Sequence, residues 1–299
     1  MAKARNDRIQ TLIDQISVPP GQKINLKKDY DPGDTGDLIK KKDAPEMLAE
    51  GIQQLAEYQD KLYAQNTYSL LIIFQAMDAA GKDGVIKHVM SGVNPQGTQV
   101  YSFKAPSDEE LDHDYLWRNF KTLPERGRIG IFNRSYYEEV LVARVHPEIL
   151  ERQRIPPELK GKGIWKQRFE EINNFEKYLT HNGVVVLKFF LNVSKAAQKK
   201  RFLERIELPE KNWKFSTFDV QEREHWEEYQ AAYEDMLDHT STEHAPWYVV
   251  PADHKWFTHL AVAAVIGKTL RDLKLAYPTV SEEHQQELLK AKEMLESEV

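Results

Sequence analysis

Residues 68–74 read YSLLIIF, an almost wholly apolar run. A run of that length and character is a strand covered on both faces, so it demands a layer of structure on each side of a sheet. The pattern recurs at residues 99–103 (QVYSF), 128–132 (RIGIF), 183–191 (GVVVLKFFL) and 247–250 (WYVV). Helical periodicity lies between these runs. Met47, Leu48, Ile52, Leu55, Tyr58, Leu62 and Tyr63 recur at three- and four-residue spacing and predict a helix over 44–66. Another helix follows Gly84 (VIKHVM). Ser107 and Glu110 form a potential capping box for a helix carrying Leu111, Tyr115, Leu116 and Phe120. Further helices are expected over about 136–145, 164–181, 194–206, 219–239 and 254–272. Strands alternating with helices predict an α/β chain, a three-layer α/β/α fold around a mostly parallel five-stranded sheet. Ligands of such sheets bind beyond the C-terminal strand ends. The polar clusters at 78–82, 104–107 and 133–134 occupy those places.

Composition removes several kinds of chemistry. The 299 residues include no cysteine, which excludes disulfides, thiolate metal sites, iron–sulfur clusters and cysteine nucleophiles. The formal net charge of −6 runs against a nucleic-acid partner. No apolar segment follows the basic start MAKARNDRIQ and no eighteen-residue apolar stretch exists, so a cytoplasmic protein without a membrane partner is expected. There is no HExxH or GxSxG, and His254 and His259 lie too far apart to stack on one helix face. Basic charge gathers in mid-chain: six basic residues against one acid over 152–168, and the same over 188–205. That concentration suits a local anionic ligand.

Residues 1–43 read as an extension. Its segment 17–37, rich in Pro, Gly and Asp, is either a loose tail or a strap bringing Lys23, Lys27 and Lys28 towards the site. Residues 44–272 form the expected catalytic unit. Within it, 192–245 is a helical insert between the fourth and fifth strands, placed where a lid would be. Residues 273–299 are an acidic, solvated helical tail.

The strongest local signal is FQAMDAAGKDG, residues 74–84. A strand runs into small residues, then Gly81-Lys82, then a helix. Gly81 permits a tight turn, backbone amides and the helix start supply positive potential, and Lys82 adds a full charge. Ala79, Ala80, Asp83 and Gly84 complete the cradle. The strict motif GxxxxGK[ST] is not met, because Ala76 and Asp83 stand at its first and last positions. The alternative is an ordinary strand–helix turn with a solvent-facing lysine. Asp78, an acid inside a phosphate loop, calls for magnesium between it and the phosphates or for a role in orienting an acceptor. In FNRSYYEE (132–139), Arg134 leaves a strand end beside that loop and can fork onto phosphoryl oxygens, with Glu138 as its partner or as a metal ligand. Arg201 and Arg205 share a helix face, Lys199 and Lys200 lie beside them, and Lys211 and Lys214 follow on the lid. Lys188, a lysine within a buried strand, needs a partner, and phosphate at the nearby site is one.

The series MDAAGKDG (77–84), GIFNRSYYEEVLV (130–142), LKFFLNVSKAAQKKRFLER (187–205), NWKFSTFD (212–219), APW (245–247) and ADHKW (252–256) closely resembles the family-2 polyphosphate kinases over about residues 20–270. The resemblance implies a P-loop kinase-like core related in shape to thymidylate kinase, with a helical lid. It implies Mg²⁺-dependent (or Mn²⁺-dependent), reversible phosphoryl transfer between inorganic polyphosphate and nucleoside mono- or diphosphates. It also implies a homodimer or homotetramer. Asp78, Lys82 and Arg134 match the family's catalytic positions, and Arg201 and Arg205 match its basic helix. Trp247, Asp253 and Lys255 fall in a block read as structural support. Many members carry an acid and a tryptophan where this chain has Asn133 and Tyr136. With Asp83, that departure is similar to the subgroup accepting both mono- and diphosphates. Asn133, Tyr137 and Glu138 are then expected to bind or support the nucleotide.

Overall fold

The strand β1 (Ser69–Gln75) is buried at every position, and Leu70, Leu71, Ile72 and Ile73 have no exposed surface. Each such side chain contributes about 1.5–3 kcal/mol through its removal from water. The computed structural model, which describes residues 2–36 and 39–298, places β1 at the centre of the sheet. Around it lie β2 (Thr98–Ser102), β3 (Ile129–Asn133), β4 (Val184–Asn192) and β5 (Trp247–Pro251), in the order β2-β3-β1-β4-β5. Every pairing between them is parallel. The expected strands are all present, with no end shifted by more than one residue.

The helices follow the apolar stripes. On one face, α2 (Ala44–Gln65) packs against α7 (Lys255–Asp272), together with α1 (Ala2–Ile16) and α3 (Lys82–Val89). On the other, α4 (Ile164–His181) lies on β4 and meets α6 (Trp226–Thr240). α5 (Lys195–Glu207) follows β4 and leads into the insert. The capping box at Ser107 and Glu110 forms in full.

Three expected helices are broken. The one over 108–120 splits into Asp108–Leu111 and Trp117–Phe120, because the Asp114 carboxylate accepts the Leu116 amide at 2.9 Å and offers the backbone a turn instead. The one over 136–145 begins as a 3₁₀ turn, Tyr136–Val140, with Ser135 accepting the Tyr137 amide. The one over 219–239 is divided by a second 3₁₀ turn, Glu222–His225.

The N-terminal extension is built into the body. α1 buries Leu12, Ile13 and Ile16. Val18 then donates its amide to the Trp247 carbonyl at 2.9 Å, and Ser17 bridges antiparallel to Tyr248, covering the β5 edge. Leu26 donates its amide to Glu234 of α6 at 2.8 Å. Asp37, the last residue of the expected loop, lies outside the described residues, as do Met1 and Val299 at the chain ends. The tail forms α8 (Glu282–Glu296), exposed throughout.

β1 sits between β3 and β4, and the chain leaves β1 and β3 towards opposite faces. The crevice at their C-terminal ends is the switch point where sheets of this kind bind ligands.

Candidate active site

A cavity of about 790 Å³ opens at that crevice. Eight lysines and arginines line it against four carboxylates, an excess of positive charge in a chain whose formal net charge is −6. Its floor is the loop after β1. Gly81 has φ of 113°, which only glycine takes without strain, and Ala79 is held at φ 61°. Arg201 on α5 holds this conformation. Its Nη1 donates to the carbonyls of Ala79 (2.9 Å) and Ala80 (2.7 Å), and its Nη2 to those of Ala252 and Asp253. Gln198 donates to the Asp78 carbonyl at 2.9 Å. The loop carbonyls are thus engaged. The first turn of α3, which receives no side-chain cap from Gly81, lines the cavity, and an uncapped helix start presents amide donors and positive potential suited to an anion.

Lys82 rises from that turn. Its Nζ donates to the Ala76 carbonyl at 2.8 Å. Burial, and then the neighbouring Arg134 charge, push its pKa down to about 8, against the pull of Asp78 and other acids. Arg134 hooks its own amide onto the Phe74 carbonyl at 3.0 Å with φ of 65°, which brings the end of β3 beside the loop. Its guanidinium donates to Asp78 Oδ1 at 2.7 Å and lies 3.4 Å from Glu138 Oε2. Glu138 first, and then Asp78, hold Arg134 above its ordinary pKa despite burial, so it stays charged.

Asp83 joins three elements. It accepts from Asn133 at 2.9 Å and from Lys214 of the insert at 3.4 Å. Burial alone would raise its pKa, but the Asn133 bond and the Lys214 charge outweigh that and hold it below the usual range. Arg205 faces Asp219 at 3.4 Å. Burial, and next the negative charge of Asp78, hold Asp219 above the ordinary carboxylate range.

Asp78 and Asp219 therefore repel each other across one cavity. That donor chemistry fits a magnesium ion held by one or two carboxylates plus substrate phosphates. Among the described residues no cluster of three or more His, Asp or Glu side chains could hold a metal without substrate. Glu138 is turned to Arg134 and does not line the cavity.

Asp78, Ala79, Ala80, Gly81, Lys82, Asp83, Gly84, Asn133, Arg134, Arg201, Arg205, Lys211 and Lys214 all line the cavity, as expected from the sequence. Several other expectations fail. Lys188 points away from it, fully buried, and donates to Glu176 of α4 (2.6 Å), the Tyr137 hydroxyl (2.9 Å) and the Thr240 carbonyl (2.7 Å). Glu176, not phosphate, is its partner, because α4 covers that face of β4. Tyr137 is consumed by the same network, its hydroxyl 2.7 Å from Glu176, and supports the site from beneath without reaching a nucleotide. Lys199 and Lys200 are exposed and outside the cavity, since the helical turn that brings Gln198, Arg201 and Phe202 inward sends them to solvent. The basic run 152–168 is also elsewhere: Arg168 is 3.1 Å from Glu171, and Lys160 donates to the carbonyls of Glu151 and Gln153. Lys27 pairs with Glu227 at 3.0 Å on the surface, so the strap braces α6.

Asp253 accepts the Ser194 amide at 2.8 Å, and Trp247 donates to Thr240 at 2.9 Å; both are structural supports. Lys255, also read as support, lines the cavity. The sequence reading assigned no role at the site to several other lining residues, among them Asp219, His88, His259 and Trp213. Asp219 stood in NWKFSTFD without one. His88 of α3 and His259 of α7 stack at 4.5 Å, a pairing across two helices that neither position announces in the sequence. Trp213 had no chemical signature.

The sequence matches the family model described as Polyphosphate kinase 2 (PPK2) over residues 38–278. It is 50% identical to the ADP-polyphosphate phosphotransferase of Rhodopseudomonas palustris, over 94% of this chain and 97% of that one. It is 42% identical to the AMP/ADP-polyphosphate phosphotransferase of Meiothermus ruber, over 87% and 94%. The fold superposes on the crystal structure of polyphosphate kinase 2 from Arthrobacter aurescens TC1 with a TM-score of 0.82 and 39% identity, covering 92% of this chain and 95% of that one. By sequence and by fold, this chain belongs to the polyphosphate kinase 2 family.

Proposed function

We propose that this chain transfers the terminal phosphoryl group of inorganic polyphosphate to AMP and ADP, giving ADP and ATP, in a reversible reaction that uses Mg²⁺. One observation carries the reading: Asp78, Lys82 and Arg134, drawn from two strand ends, meet at a single cavity with an excess of positive charge. Family membership and the names of the relatives support the same substrates.

An oxygen of the acceptor's terminal phosphate attacks the terminal phosphorus of polyphosphate. A new P–O bond forms as the bridging P–O bond breaks, and the shortened polyphosphate leaves with the electron pair. The first turn of α3 and Lys82 hold phosphoryl oxygens by amide and ammonium donors. Arg134, already aimed by Asp78 and Glu138, meets charge spreading over the equatorial oxygens. Asp78 orients the acceptor, which is anionic and needs little help from a base. Magnesium, held by Asp78 with Asp219 in reach, would neutralise charge on donor and acceptor oxygens. Arg205, Lys211 and Lys214 close the insert over the phosphates and exclude water. In this reading residues 44–272 are the catalytic unit, 192–245 its lid, 1–43 a strap that fixes α6 and the β5 edge, and 273–299 a solvated tail. Two acceptors are favoured by Asn133, which donates to Asp83 at 2.9 Å and stands where many members carry an acid.

The test is nucleotide separation over time with purified protein, magnesium and long-chain polyphosphate, supplying AMP or ADP separately. ATP from ADP, and ADP followed by ATP from AMP, are expected. ATP from ADP alone rejects the dual-acceptor reading. No product with polyphosphate, but turnover with ATP as donor, replaces the reading by an ATP-dependent kinase.

A further inference from the structure

Trp213 is 78% exposed, although indole is among the most favourable side chains to bury. It lines the cavity together with twelve charged side chains; the other rings there are Phe103, packed edge-on against Phe132, and the His88–His259 pair, stacked on each other. Its ring is held in place. Nε1 donates to the Glu210 carbonyl at 3.0 Å, and Lys214 Nζ lies 5.0 Å from the ring centroid. That same Nζ is 3.4 Å from Asp83 on α3. The indole is therefore fixed at the phosphate site with much of its surface open.

Of the two substrates, polyphosphate offers only oxygens and charge, and has no use for an indole. The nucleotide carries a flat π system at a distance from its phosphates. We propose that Trp213 is the stacking platform for the acceptor's nucleobase, an inference that rests on the phosphotransfer reading above. A stacked base is recognised by its face rather than its edge, so this contact tolerates more than one base. Leu203, Ile206, Phe218 and Val220 are also exposed on the insert, but none lines the cavity, which separates Trp213 from a general apolar surface.

The test compares wild type with Trp213→Phe, Trp213→Leu and Trp213→Ala. The ADP KM is measured at saturating polyphosphate, and the polyphosphate KM at saturating ADP. Loss of one base–aromatic stack raises the ADP KM about tenfold or more in the Leu and Ala variants. Phe keeps the π face and stays near wild type, while kcat and the polyphosphate KM hold. As an equilibrium readout, ADP without polyphosphate quenches tryptophan emission in wild type, and the Trp213→Phe variant loses that quench. Tripolyphosphate leaves emission unchanged. The platform is overturned by a Leu variant as good as Phe, by an ADP KM that does not move, or by equal quenching with tripolyphosphate. Wild-type protein that binds ADP with this quench yet makes no ATP from polyphosphate keeps the platform and removes the phosphotransfer reading. Normal turnover by Trp213→Ala with an unchanged ADP KM does the reverse.

Discussion

In the proposed reaction Lys82 ties catalysis to pH, and its surroundings make that tie quantitative. Its pKa in the ligand-free site is about 8, lowered from 10.5 by burial and next by Arg134. With that value, the protonated fraction falls from about ten in eleven at pH 7 to about one in eleven at pH 9. Since kcat/KM reports the free enzyme, it should drop about tenfold over that interval. Bound phosphate favours the charged ammonium, so kcat should decline only at higher pH. The assay is initial-rate ATP formation from ADP at fixed free magnesium, across pH 6.5 to about 10. Two variants assign the limb. Lys82→Arg replaces the ammonium with a group that does not titrate, so its residual activity should lose the limb. Arg134→Gln removes the second-largest cause of the lowering, so its limb should move to higher pH. A limb that persists unmoved in Lys82→Arg, or a wild-type profile flat to about pH 10, refutes the assignment. Stability supplies a second readout. The folded pKa lies below the unfolded one, so the penalty of burying this charge is present below pH 8 and disappears as pH rises from 8 to 10.5. Ligand-free Lys82→Met should melt above wild type at neutral pH, and the gap should close across that window.

Three further outcomes follow from the same geometry. Asp78→Asn should lower kcat roughly tenfold to a thousandfold with the melting temperature nearly unchanged, by comparison with single electrostatic groups in other sites, and near-normal turnover by the folded variant would exclude the orienting role. Glu176→Gln should destabilise by about 3–5 kcal/mol in urea unfolding, since it strands the buried Lys188 charge, and pairing Glu176→Leu with Lys188→Met should recover most of the loss. Chelation with EDTA should abolish turnover yet leave the ligand-free melting temperature unchanged, because the carboxylates at the site need substrate phosphates to complete a metal shell; a large drop would reveal a structural metal.

The parallel sheet was legible because a strand buried on both faces cannot hide its apolarity, as residues 68–74 illustrate. The strand–loop–helix turn was legible because a short run of small residues ending in Gly81-Lys82 joins an apolar strand to a helix. Lys188 was misassigned for a reason that lies across the sheet. A strand reading shows that a lysine is buried but not which layer it faces. The missing signal was Glu176, an acid standing among Phe169, Ile172 and Leu179 on the buried stripe of helix 164–181. Two opposite charges in two apolar settings are a pair to be sought before any ligand. Arg201 was correctly placed at the cavity, but its grip on four backbone carbonyls was not visible, since carbonyl directions follow from φ and ψ rather than residue type. Lys199 and Lys200 shared its composition and not its helical phase. Trp213 escaped because an exposed aromatic becomes informative only once its neighbours are known.

That grip of Arg201 has a consequence for biosynthesis. The loop at residues 78–84 leaves the ribosome well before the arginine that clamps it, and Arg201 itself needs the carbonyls of Ala252 and Asp253. A nascent chain that has emerged only through β3 holds the loop's sequence but not the clamp that shapes it. The shape of this loop is therefore completed only by contacts that reach more than a hundred residues along the chain, and it forms late in synthesis.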